Sequence, residues 1–206
     1  MTQSAPMRIA VLVHRVGPYH HARFRALAGK CDLQVVEYSS IDATYAWDSI
    51  PVGEYPIKPI FTDADVATKS PGDVCRRMHS ALASIRPDVV AIPGWSEPAS
   101  IGALAWCRRT DTPAIIMSET TPYDESRASW REWIKGRIVR GCSAALVGGT
   151  PHIDYVVRLG QRRDHVFVGY DVVDNRHFSA GSDAARANGP AMRNRLSLPE
   201  HYFLAS

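Results

Sequence analysis

The chain has 206 residues, a formal net charge of +3 and a hydrophobic fraction of 45%. This length suits one domain with a short extension, and the composition is that of a globular protein rather than a disordered one. So small a net charge does not indicate nucleic-acid binding, and we expect no nucleic acid as a partner.

The four cysteines are dispersed, and none lies in a CxxC pair or at ligand spacing from a histidine. We therefore expect no structural zinc. Residues 1–6 are a short polar lead rather than a targeting segment, and no apolar run approaches the roughly 20 residues of a membrane span. Together these features favour reduced thiols and a cytoplasmic location.

Short apolar runs recur along the chain and are typical of strands covered on both faces of a parallel sheet. The runs are residues 8–13, 33–36, 88–92, 114–117 and 144–147, with a shorter candidate at 165–168. The stretch 55–61 is weaker, because Pro56 and Pro59 restrict it to an edge of the sheet.

Segments with helical periodicity alternate with these runs, at residues 18–28, 71–85, 96–109, 126–140 and 150–160. Ser70 followed by Pro71 is a typical helix start, with the serine as N-cap. Repeated strand–helix–strand units predict right-handed crossovers and a Rossmann-like, doubly wound parallel sheet of six or seven strands, with helices on both faces.

The end of the chain differs in composition. Residues 179–190 are rich in Ala, Gly and Ser and are interpreted as a linker, and residues 202–206 resemble the opening of another strand. The predicted organisation is therefore a domain at 1–178, followed by a linker and the first strand of a truncated second domain at 179–206.

In sheets of this kind, ligands bind beyond the carboxyl ends of the strands, where four loops are expected. In the first loop, Gly17 permits close approach of the backbone, and the helix that begins at Pro18 offers free N–H groups to an anion. Tyr19 and His20 lie beside it as candidates for substrate binding and catalysis. The alternatives are a plain turn and a packed histidine.

The second loop carries Trp95, whose ring suits stacking on a sugar, although a loop tryptophan more often covers the edge of the core. The fourth loop carries Gly148 and Gly149, which allow close approach of a ligand. A flexible turn before a helix explains these two glycines equally well.

The third loop, residues 118–127, is the most polar and follows a buried strand. Glu119 is the best candidate to bind hydroxyls or accept a proton, and Asp124 and Arg127 are candidate substrate contacts. Asp124 and Ser126 have an alternative role as caps of the next helix.

The helix at 127–140 combines basic and aromatic residues. Five basic residues against Glu132 give it a net charge of +4, and Trp130 and Trp133 interleave with them. This pattern indicates peripheral contact with an anionic membrane at its inner face. The commoner alternative is a solvated face over a buried apolar stripe.

Several segments taken together resemble a known family. They are the strand Arg8–Val13 with its Gly17 loop, and residues 86–90, 145–150, 155–160 and 166–178. In this order they resemble the N-terminal domain of GT-B-fold glycosyltransferases of family 4, the large retaining group.

The resemblance implies the acceptor-binding half of an enzyme that moves a sugar from a nucleotide-sugar to a glycan, lipid-linked or small-molecule acceptor. It places Gly17 near the donor phosphates and implies a donor domain beyond residue 206. Independently of the resemblance, His20 and Glu119 are the predicted catalytic residues, with no metal and no cofactor apart from the nucleotide-sugar co-substrate. The chain alone is then expected to be inactive. Two positions depart from the family pattern, since the loop at 118–120 has no histidine and Asp171 stands where an asparagine is usual.

Two alternatives remain open. One is a non-catalytic α/β ligand-binding module, and the other is half of a GT-B sugar-nucleotide epimerase. A receiver module is disfavoured because residues 11–15 contain no acid, and a nicotinamide enzyme because no GxGxxG motif is present.

Overall fold

The computed structural model describes residues 5–39, 53–62, 66–124, 128–199, 201 and 203. The chain divides into two compact units, Met1–Val172 and Val173–Ser206. Among the described residues, no helix is both long and apolar enough to cross a membrane.

The first unit contains a seven-stranded sheet in which every paired strand is parallel to its neighbour. The strands are β1 (Arg8–Val13), β2 (Asp32–Glu37), β3 (Ile57–Pro59), β4 (Val89–Pro93), β5 (Ala114–Ser118), β6 (Ala144–Val147) and β7 (Val166–Val168), in the spatial order 3-2-1-4-5-6-7. The predicted Rossmann-like fold is confirmed, and the weak proline-containing strand lies at the sheet edge, as its composition requires.

The helices of this unit are α1 (Pro18–Ala28), α2 (Pro71–Ile85), α3 (Pro98–Thr110), α4 (Ser129–Val139) and α5 (Thr150–Arg158). Single 3-10 turns occur at Val66–Thr68 and Arg163–His165. The helix start at Ser70 is as predicted, since its side chain accepts a hydrogen bond from the Asp73 amide at 3.2 Å.

Alternation along β1 divides its side chains between two cores. Ala10 and Leu12 belong to a core with α2, α3 and α5, whereas Val11 and Val13 pack with Phe24 of α1 on the other face. The strand order explains this difference. After β3 the sheet grows in one direction only, so right-handed crossovers bring α2, α3, α4 and α5 to the same face.

The second face beyond α1 consequently carries an apolar groove of about 520 Å³. Its floor includes Ala91, Met117 and Leu146, and its rim includes His20 and Tyr170.

The second unit contains α6 (Asn175–Ala187) and α7 (Gly189–Arg195). The Asp174 carboxylate caps α6 by accepting hydrogen bonds from the amides of Arg176 and His177. The segment interpreted as a linker at 179–190 is therefore helical, because alanines and this cap outweigh its glycines. Of the strand expected at 202–206, only residue 203 is described, so that expectation lies outside the described residues. The proposed boundary at residue 178 stays a prediction.

Candidate active site at the carboxyl edge of the sheet

Because the strands are parallel, their carboxyl ends meet at one edge of the sheet. The loops that carry Gly17, Trp95, Glu119 and Gly148 follow β1, β4, β5 and β6 and so share this edge. This arrangement is the one the alternating sequence pattern predicts.

In the first loop, the His20 side chain accepts a hydrogen bond at the start of helix α1. The Gly17 amide donates to His20 Nδ1 at 3.2 Å, and the imidazole stacks on Phe24 with ring centroids 6.0 Å apart. Burial, assisted by the charge of Arg23, lowers the pKa of His20 to about 4, so the ring is neutral at neutral pH. One amide that was expected to face an anion is therefore occupied, and the catalytic role of His20 stays a prediction.

Tyr19 lies on the first turn of α1, and 47% of its surface is exposed. Its carbonyl accepts a hydrogen bond from Arg23 Nε at 3.3 Å. Tyr19 therefore lies at the carboxyl edge of the sheet, and its role in substrate binding stays a prediction.

A pair of carboxyl groups is the main chemical feature of the edge. Glu119, which follows β5, is hydrogen-bonded to Asp171, which follows β7. Glu119 is itself exposed at the surface. Partial desolvation of its carboxyl raises its pKa to about 7, the hydrogen bond and charge of Asp171 act in the same direction, and Arg23 opposes them. The carboxyl pair therefore holds a proton to higher pH than an isolated glutamate would.

Arg23 connects α1 to this pair. Its guanidinium lies 5.4 Å from the centre of the Tyr170 ring and donates a hydrogen bond to the Tyr170 carbonyl. Since Tyr170 immediately precedes Asp171, these contacts hold the loop after β7 beside Glu119. The guanidinium also supplies positive charge next to the carboxyl pair.

Gly148 makes room for Asp171. A Cβ atom on Gly148 would collide with Asp171 Oδ2 and lie 3.3 Å from His152 Cε1. A Cβ on the adjacent Gly149 would meet only His152 Nδ1, at the ordinary contact distance of 3.9 Å. The close approach predicted for a ligand is thus made at Gly148 by a side chain of the protein itself.

A second group of polar side chains lies at the same edge. His14 Nδ1 is 3.5 Å from Glu97 Oε1, and the His14 ring meets the Tyr38 ring edge-on at 5.4 Å. Burial, together with the neighbouring Glu97, raises the pKa of Tyr38, so that this hydroxyl stays protonated.

Two other predicted substrate contacts, Trp95 and Asp124, make contacts within the protein. Trp95 meets Tyr155 edge-on at 6.2 Å and packs partly buried against the core, which matches the structural alternative. The Asp124 carboxylate accepts a hydrogen bond from the Thr121 amide at 2.7 Å and closes a turn within its own loop. Arg127 lies outside the described residues. The substrate-binding roles of all three stay predictions.

Two functional candidates were missed by sequence reasoning. Asp171 was noted only as a departure from a family pattern, although it follows a predicted strand and so satisfies the carboxyl-edge rule. Arg23 lies three residues after His20, which places both on the same side of α1. That spacing was the available signal.

No family model and no curated protein sequence matches the chain. Solved structures do match it. A UDP-N-acetylglucosamine 2-epimerase from Rickettsia bellii aligns over 94% of this chain and 52% of its own, with 14% identity and a TM-score of 0.56.

The Neisseria meningitidis UDP-GlcNAc 2-epimerase, solved bound to UDP-GlcNAc, aligns over 79% of this chain and 46% of its own, with 12% identity and a TM-score of 0.53. The Anabaena protein HepE, solved with UDP and glucose, aligns over 82% of this chain and 45% of its own, with 11% identity and a TM-score of 0.55.

The chain has the fold of one half of a GT-B protein. It spans about half the length of the structures that it matches. The expectation of a glycosyltransferase is wrong, because the two enzymes named above are UDP-GlcNAc 2-epimerases, which are isomerases.

Proposed function

We propose that this chain forms one half of a GT-B sugar-nucleotide epimerase and supplies its acid–base group. The observation that carries the proposal is the hydrogen-bonded pair of Glu119 and Asp171 at the carboxyl edge of the sheet. The proposed substrate is a UDP-linked sugar, as in the epimerases of the same fold.

The state of Glu119 suits this chemistry. Inverting a hydrogen-bearing carbon next to the anomeric carbon can proceed by removal of its proton while the C–H electron pair forms a C=C bond and expels UDP. UDP and a proton then add back, the proton to the opposite face. A group that accepts or returns this proton works best when its pKa is close to the working pH. Glu119 has a pKa raised to about 7, far above the 4.5 of an ordinary glutamate, so it can accept and release a proton under the same conditions.

Asp171 and Arg23 have distinct parts in the proposal. The hydrogen bond and charge of Asp171 help to keep the Glu119 pKa high, as expected for two carboxyl groups at one site. Arg23 lowers the Glu119 pKa and orients the Asp171 loop through Tyr170. His20 closes the first turn of α1 and so positions Arg23, one turn further along.

Deuterium exchange tests the proposal. The polypeptide that carries this chain, expressed from its own gene, is incubated with UDP-GlcNAc in D₂O. Because a carboxyl proton exchanges with solvent, turnover replaces a carbon-bound hydrogen of the sugar by deuterium, which mass spectrometry detects. Glu119→Gln is expected to slow this incorporation at least roughly 100-fold, the lower range of acid–base contributions.

Asp111→Asn is the matched control. Asp111 ends α3 next to the amino end of β5, at the opposite edge, with a φ of 56° that asparagine also adopts. It should exchange deuterium at the unaltered rate. No incorporation with the unaltered protein, or equal rates with and without the Glu119 carboxyl, would contradict the proposal.

A further inference from the structure

Helix α4 presents an exposed apolar ridge. Trp130 is 62% exposed, Trp133 61% and Ile134 42%. Residues three and four apart lie on one side of a helix, so these three side chains form a continuous strip. Large apolar side chains grouped on a surface mark a place of interaction, because isolated ones are the norm elsewhere.

The only acid of α4 is turned away from this ridge. Glu132 accepts a hydrogen bond from the Tyr155 hydroxyl at 2.9 Å and pairs with Lys135 at 3.1 Å. The side chains of Glu132 and Lys135 are each only 16% exposed. These contacts fix the rotation of α4, and they leave its outer side without negative charge.

Positive charge accompanies both indoles. The Arg131 guanidinium lies 5.3 Å from the centre of the Trp130 ring, and that of Arg137 lies 5.1 Å from the Trp133 ring. The ridge therefore combines two apolar rings with two cations, each beside its ring.

The ridge ends in a basic depression of about 310 Å³ lined by Arg108, Arg137, Arg140 and Gly141. Arg140 is held in place by a hydrogen bond to the Leu159 carbonyl at 3.2 Å. Within the described part of the chain, no carboxylate forms an ion pair with any of the three arginines. Several guanidinium groups that converge on one place, with no carboxylate to neutralise them, favour the binding of a phosphate group.

We propose that α4 docks on an anionic lipid bilayer, with Trp130 and Trp133 at the level of the headgroups and a lipid phosphate in the depression formed by Arg108, Arg137 and Arg140. Tryptophan favours this interface because its ring is apolar and its N–H is polar. The two features lie side by side on the same helix, so a flat anionic surface engages both at once.

Vesicle co-sedimentation tests the proposal with the 206-residue chain. Vesicles of phosphatidylcholine alone are compared with vesicles that also contain phosphatidylglycerol. The chain should bind only the anionic vesicles, with a blue shift of tryptophan emission, and release should follow as salt screens the charges. Arg137→Glu should weaken partitioning by at least about fivefold, the contribution of one surface cation.

A double variant, Trp130→Ala with Trp133→Ala, should weaken binding as well. Arg76→Glu changes an exposed arginine of α2 and is the matched control, for which binding should be unaltered. Circular dichroism verifies that each variant is folded.

Three results would overturn the proposal. They are equal binding to neutral vesicles, unaltered binding by both α4 variants, and displacement from vesicles by millimolar glycerol phosphate, which would indicate a site for a free anion. Sedimentation velocity provides a fourth such result: a dimer of the chain that dissociates in the Trp130→Ala, Trp133→Ala variant. These outcomes do not depend on the deuterium experiment, because α4 supplies no group to the carboxyl pair.

Discussion

The carboxyl pair can be perturbed through the glycine beside it. Gly148→Ala places a methyl group where Asp171 Oδ2 now lies. The Asp171 side chain is exposed and can rotate away, whereas the backbone of β6 is fixed by its pairing with β5 and β7. The substitution should therefore separate Asp171 from Glu119 and leave the sheet intact.

The expected effect is on the pKa of Glu119. Partial desolvation of the Glu119 carboxyl is the largest cause of the rise to about 7, and the hydrogen bond and charge of Asp171 are the next two. Removing an exposed carboxyl neighbour should lower the Glu119 pKa by about one pH unit, the low end for such pairs. At pH 7 the ratio of protonated to ionised Glu119 then falls about tenfold.

Carbon NMR titration of the Glu119 carboxyl measures this directly, with Glu119→Gln to assign the signal. Gly149→Ala is the control, because its methyl group meets only His152 Nδ1 at 3.9 Å and its backbone is extended, with φ 179°. An unaltered midpoint in Gly148→Ala, or an equal fall in both variants, would refute the reasoning.

Two further predictions concern stability. The folded chain resists protonation of His20 until about pH 4. The unfolded chain takes up that proton near pH 6.5. Lowering the pH from 8 to 5 should therefore reduce the free energy of unfolding by about 2 kcal/mol through His20. Urea unfolding at both pH values should show a smaller loss for His20→Gln, and an equal loss would contradict the assignment. Gly102→Ala would bring a methyl group to 3.0 Å from the Cys75 Cα atom and should cost about 1–2 kcal/mol by overpacking α3 against α2. Gly72→Ala, with nothing within 4 Å, should be neutral or stabilising, and the same sign for both would contradict this packing account.

Much of the fold was predictable because it depends on local signals. Apolar runs at 8–13, 114–117 and 144–147 match β1, β5 and β6 closely, since strands buried on both faces leave no room for polar residues. The helix start at Ser70 was also predictable, because the N-cap and the following Pro71 act within one turn.

The carboxyl pair was harder to predict. Glu119 was identified from its place after a buried strand, but its partner comes from a loop two strands further along the sheet. Only the spatial order β5-β6-β7, with Gly148 between the two loops, brings Asp171 to it. The separation of Glu119 and Asp171 along the sequence does not indicate that contact.

The helices of the second unit were not predicted, for a local reason. Gly181, Gly189 and Pro190 favoured a linker, yet Asp174 caps a helix that runs through Gly181, and Pro190 lies in the first turn of α7. Proline is tolerated at that position, where its missing N–H would have no partner. The glycines and the proline alone therefore do not decide the structure of this segment.

The most direct test of the central claim is an amide NMR titration of the chain with UDP-GlcNAc. The account predicts shifts for Glu119, Gly148, Gly149 and Asp171 at the carboxyl edge. Affinity should be weaker than roughly 1 mM, as expected when one half of the cleft binds alone. Shifts confined to the opposite edge near Asp111, or no shifts at all, would contradict the claim that a sugar nucleotide meets the carboxyl pair of this chain.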